Sequence, residues 1–76
     1  MREMEFKMER EGLVEIGKEY EISEGRLPSS YYYTLEPAYA RSANIEFRDR
    51  LKSTKGTVKA INETPRGFFV TVEFDE

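Results

Sequence analysis

"KGTVKAINETPRGFFVTVEF", Lys55 to Phe74, is the stretch whose reading decides the fold. Phe68, Val70, Val72 and Phe74 recur at every second position, with Phe69, Thr71 and Glu73 between them. A period of two is the pattern of a strand with one buried face. Pro65 and Gly67 mark Asn62–Gly67 as a turn. Thr54–Ile61, carrying Gly56, Val58 and Ile61, reads as the strand that enters it. The C-terminal third is therefore a hairpin with a strongly apolar inner face.

The same period recurs at the N-terminus. Met4, Phe6 and Met8 share one face of Arg2–Glu9, and Glu3, Glu5, Lys7 and Glu9 share the other. Gly12 supplies a turn. Leu13–Ile22 follows as a second strand, with Val14 and Ile16 on one face, Gly17 as a bulge, then Tyr20 and Ile22. Glu3–Glu9 and Leu13–Ile22 are expected to pair as a first hairpin. Ser23–Ser30 has the composition of a loop. Tyr31, Tyr33 and Leu35 then share one face of a short strand, with Tyr32 and Thr34 on the other, and Pro37 ends it.

Pro37–Lys52 fits two periods. As a helix it aligns Tyr39, Ala40, Ala43, Phe47 and Leu51 in one stripe and sets Glu46 and Arg50 four residues apart. As loop plus strand it alternates Ile45 with Phe47. A short helix somewhere in 37–50 is the expectation. Five short strands with at most one short helix predict a mainly β fold: a small, strongly bent sheet or barrel, SH3-like or OB-like, because closure removes exposed edges.

With 76 residues the chain, 1–76, is expected to be a single small domain. So small a domain buries a modest core, and no cysteine is present to cross-link it. The core is therefore expected either to be built from Phe, Tyr, Val, Ile, Leu and Met or to be completed by a second copy of the chain. No apolar leader opens the chain and no apolar run approaches membrane-spanning length. The expectation is a soluble cytoplasmic protein with no membrane partner.

Lys55–Phe74 also resembles the KOW motif of small barrel modules: Gly56, then Val58, then Ile61, a turn, and the alternating return strand of Val70, Val72 and Phe74. The resemblance covers about a quarter of the chain. It implies a small barrel and binding to RNA or protein partners. The acidic first strands and the Tyr-rich stretch at 27–45 depart from that motif.

Chemistry is limited by what the chain lacks. With no histidine and no cysteine, the Ser-His and Cys-His nucleophile pairs and the usual zinc ligand sets are excluded. No Gly-rich phosphate loop occurs. The carboxylates mostly alternate with apolar residues, which puts them on solvated faces. The protein is therefore expected not to be an enzyme and to need no cofactor.

Charge and tyrosine single out one region. Residues 41–59 hold 6 basic and 2 acidic side chains, whereas the flanks are acidic and the whole chain carries −3. Four of the five tyrosines fall within 31–39. Tyr31, Tyr33 and Tyr39 suit a core; exposed tyrosines beside arginines suit a protein interface or base stacking. Alternation pushes Tyr32 off the face of Tyr31 and Tyr33. Tyr32, Arg48, Arg50, Lys52 and Lys55 are thus the candidate partner-binding residues. A protein partner or self-association is the favoured function. RNA or single-stranded nucleic acid is the alternative, disfavoured by net charge.

Overall fold

The alternating N-terminal run forms β1 (Arg2–Met8) in the computed structural model, which describes residues 1–76. The remaining strands are β2 (Glu19–Arg26), β3 (Ser30–Leu35), β4 (Ala40–Ser42), β5 (Ile45–Glu46), β6 (Lys55–Thr64) and β7 (Gly67–Phe74). Following hydrogen-bonded neighbours gives β2-β6-β7-β1-β4-β3, and the β2–β3 pairing returns to β2. Six antiparallel strands thus close a barrel, with β5 paired outside it to β3. No helix is long and apolar enough to cross a membrane.

The β6–β7 hairpin forms as expected, but its turn is tighter than Asn62–Gly67: Asn62, Glu63 and Thr64 stay in the strand and pair with Phe69, Phe68 and Gly67. Its turn is fastened by Thr64, whose hydroxyl accepts from the Arg66 N–H and donates to the Gly67 carbonyl, both at 3.1 Å. Val58 opposes Val72 and Ile61 opposes Val70, with a bulge between Val58 and Ala60. In a straight strand residues three apart face opposite ways. The extra residue at the bulge turns Ile61 back toward the side of Val58, and the bend helps close the barrel. Gly56 is buried where a Cβ would lie 2.6 Å from both Phe74 Cε1 and Val72 Cγ1, so its lack of a side chain permits the close approach of β6 to β7.

The expected first hairpin does not form. β1 pairs along its whole length with β7, setting Met4 against Val72 and Phe6 against Val70, and it meets β4 through Phe6 and Lys7. Alternation specifies which face of β1 is buried but not which strand lies beside it. Leu13–Lys18 is loop: Val14 plugs the core while Ile16 is 64% exposed. Gly17, with φ of +89°, sits in a turn, and its N–H donates to Val58 O at 2.7 Å.

The second correction concerns residues 19–35. Much of the stretch expected as loop is strand, because Glu19–Arg26 pairs with β3 as a hairpin across Leu27–Ser29. The third concerns 37–52. No α-helix forms; the segment holds β4, β5 and a single 3₁₀ turn at Phe47–Asp49. Ala43 is exposed and Tyr39 half-buried, so the helical stripe is not a buried face. Both β4 and β5 lie on the edge of β3 opposite β2. Where the ladder parts, the Ser42 hydroxyl takes over, accepting from Tyr33 N at 2.9 Å and donating to Ala43 O at 2.8 Å.

The barrel interior is filled by Met4, Phe6, Met8, Val14, Tyr33, Leu35, Ala40, Leu51, Val58, Val70, Val72 and Phe74, with Tyr20 and Ile22 of β2 packed against them. Phe6 and Phe74 meet at 6.3 Å between ring centroids. No buried side-chain polar atom lacks a partner.

Candidate interaction surface

Tyr31, Tyr33 and Leu35 point inward from β3, yet their surroundings differ along the strand. Leu35 and Tyr33 are buried, whereas Tyr31 reaches one mouth of the barrel and is half-buried. There the 3₁₀ turn presents Phe47, 44% exposed, with its ring 5.1 Å from that of Tyr31. Arg26, opposite Tyr31 in the β2–β3 register, places its guanidinium 5.7 Å from the Phe47 ring. Arg50 covers Tyr31 at 4.8 Å. The mouth is therefore capped by two aromatic rings held between two arginines, a composition typical of interface centres.

A hydrogen-bonded chain beneath fixes this cap. Arg50 grips Glu24 with two bonds, Nε at 3.0 Å and Nη2 at 2.9 Å. Glu24 also accepts from the Tyr33 hydroxyl at 2.8 Å, and that hydroxyl accepts from Leu51 N at 2.8 Å. The Arg50 fork, helped by Tyr33, holds the Glu24 carboxyl below its ordinary range against the opposing effect of burial. Glu24 in turn raises the pKa of Arg50. Burial, reinforced by Glu24, pushes the Tyr33 phenol up. Glu76 closes the neighbouring loop: one carboxylate oxygen accepts from Lys52 N, Ser53 N and the Ser53 hydroxyl at 2.7–2.9 Å, and the other from Arg2 at 3.3 Å. Burial opposes ionisation of Glu76, but these donors outweigh it and lower its pKa.

The residues singled out from the sequence do not form one cluster. Arg50 lies at the mouth. Arg48, beside it in the 3₁₀ turn, is exposed and pairs with Glu46 at 3.0 Å. Lys52 is exposed and makes no salt bridge. Lys55 opens β6 and pairs with Glu19 at 3.6 Å, across the β2–β6 seam. Tyr32 leaves β3 on the opposite side from Tyr31. Its ring lies on Gly25, where an added Cβ would overlap it, and Arg41 sits over it at 3.9 Å from the centroid. Gly25 and Arg41 both pack against that ring, so Tyr32 is a poor platform for a stacked base.

Phe47, Arg26, Tyr31 and Arg41 were not among the candidates. Phe47 was accessible through the loop-plus-strand alternative, which frees it from a helical stripe. Arg26 becomes visible only once β2 and β3 are paired. No group of three or more acidic, histidine or cysteine side chains is arranged to hold a metal ion. No protein-family profile, curated protein or solved structure matches the chain.

Proposed function

We propose that this protein is a non-catalytic β-barrel interaction module, SH3-like or OB-like, that binds a protein partner, a second copy of itself included. The observation that carries the reading is the capped barrel mouth: exposed Phe47 against Tyr31, with Arg26 and Arg50 over the rings. The rings are rigid and apolar, and the arginines supply directional donors at their rim. Arg48 and Lys52 lie beside this surface in the chain and extend its polar edge. Tyr32 and Lys55 belong to the barrel wall instead.

Two observations favour protein over RNA. The outer face of Tyr31 is covered by Arg50, and Arg50 and Arg48 are each neutralised by a neighbouring glutamate. A phosphate-tracking surface needs unneutralised cations and open ring faces. The likeness of Lys55–Phe74 to the KOW motif supports a small barrel binder without choosing between the two partners.

Sedimentation velocity across a range of concentrations, on the parent chain and Phe47→Ser, tests the self-association form. Concentration-dependent mass in the parent, lost in Phe47→Ser with an unchanged circular dichroism spectrum, supports it. Salt-sensitive binding of labelled single-stranded RNA at micromolar concentrations or below, weakened by Arg26→Gln and Arg50→Gln, would replace protein by RNA as the partner.

A further inference from the structure

The outer wall across β1, β4 and β3 carries an electrostatic conflict. Antiparallel register sets Lys7 directly opposite Arg41, and like charges directly opposite destabilise a sheet. The other like-charged pair in register, Glu3 with Glu73, is relieved by Lys59 at 3.9 Å from Glu73. Lys7 is likewise relieved, by Glu9 at 3.8 Å, and Arg41 is the member of this pair that makes no salt bridge. Thr34, across from Arg41 on β3, is uncharged.

The conflict lies in a cleft of about 530 Å³. Arg10 joins Lys7 and Arg41 there, with Glu9, Tyr32 and Tyr39 among the walls, and Glu5 lines the adjoining depression beside the same Lys7 and Arg41. The stack of Gly25, Tyr32 and Arg41 gives the site its form. Tyr32 rests on the glycine and holds the guanidinium over its ring. A guanidinium held over a ring by cation–π attraction keeps its N–H groups for oxyanions, and Arg prefers to grip a carboxylate with two parallel bonds.

We propose that this cleft is an oxyanion site that receives the carboxylates of an acidic peptide segment of a protein partner. The proposal rests on the reading of the protein as a protein-binding module, but uses a surface separate from the barrel mouth. Nucleobases suit it poorly, since Gly25 and Arg41 already pack against Tyr32 and Tyr39 meets Tyr20 edge-on at 5.9 Å and 87°. Lys7, Arg10 and Arg41 provide charge, and Tyr32 is a positioning residue for Arg41.

Fluorescence anisotropy of a labelled short oligo-glutamate with the full chain tests this, with oligo-glutamine as control. Oligo-glutamate binds, increasingly weakly as salt rises, and oligo-glutamine does not. Arg10→Gln combined with Arg41→Gln lowers affinity at least about tenfold, the scale of a lost charge-assisted pair. Tyr32→Leu retains every charge, so a several-fold loss in that variant supports the positioning role. Phe47→Ser leaves peptide affinity unchanged, which separates this site from the mouth. Circular dichroism confirms that each variant is folded. Absence of oligo-glutamate binding, or equal binding by the double arginine variant, overturns the proposal. So does tighter binding of single-stranded RNA of matched charge, or displacement of the peptide by an equal concentration of inorganic phosphate.

Discussion

Replacing Tyr33 by Phe isolates one oxygen atom on which the barrel mouth depends. Tyr33 is 1% exposed and Leu51 4% exposed. The Tyr33 hydroxyl accepts from Leu51 N and donates to Glu24, both at 2.8 Å. The variant keeps the ring, so the packing volume hardly changes. It leaves the Leu51 N–H without an acceptor in the core, which costs about 1–3 kcal/mol. The bond to Glu24 is lost as well, but Glu24 can recruit water, which limits that loss to roughly 0.5–1 kcal/mol. The sum is about 1.5–4 kcal/mol, out of a total stability of about 4–11 kcal/mol for a chain of this length. The variant should therefore fold, with Tm lowered by about 6–32 °C at the roughly 4–8 °C per kcal/mol of small domains. Urea unfolding followed by circular dichroism gives the stability difference. Amide exchange of Leu51 should speed up beyond the change in global stability, and the Glu24 carboxyl should titrate higher because Tyr33 helps to lower it. A stability change below about 0.5 kcal/mol, with Leu51 still protected, would refute the argument that buried polar groups must keep their partners.

The other predictions concern the barrel closure, the ladder break and acid sensitivity. Gly56→Ala places a methyl 2.6 Å from Phe74 and Val72, and should destabilise by about 1–3 kcal/mol in denaturant titration, the usual cost of overpacking. Ser42→Ala removes the acceptor for the Tyr33 N–H, and should cost about 1–3 kcal/mol by the same assay, with exchange of the Tyr33 amide accelerated. Glu24 and Glu76 both have lowered pKa values in the fold. Their stabilising contribution is complete above the unfolded carboxyl pKa of about 4.3 and is lost as pH falls through the lower folded values. The urea midpoint should thus decline below about pH 4–5, and Glu24→Gln with Glu76→Gln should flatten that decline while lowering the neutral-pH midpoint.

The sequence by itself determined the faces. Strict alternation in Arg2–Met8 and Gly67–Phe74 dictated which side chains enter the core, because adjacent residues of a strand point to opposite sides whatever the neighbour. It also determined the β6–β7 hairpin, whose turn chemistry is local, and it excluded chemistry that needs histidine or cysteine. The arrangement of strands was a different matter. β1 finds its partner in β7, which lies at the far end of the chain, and nothing local distinguishes that pairing from one with Leu13–Ile22. Pairing is chosen by which assembly buries Met4, Phe6, Val70, Val72 and Phe74 together. The same competition overrode the helical stripe of 37–52. Ala40 and Ser42 complete the barrel edge only as a strand, and Leu51 enters the core through the bond to Tyr33. The two surfaces were equally out of reach. Arg26 meets Phe47, and Lys7 meets Arg41 and Arg10, across segments far apart in the chain. Charge along the sequence located the basic segment, but only closure of the barrel decided which cations were neutralised and which were left facing one another.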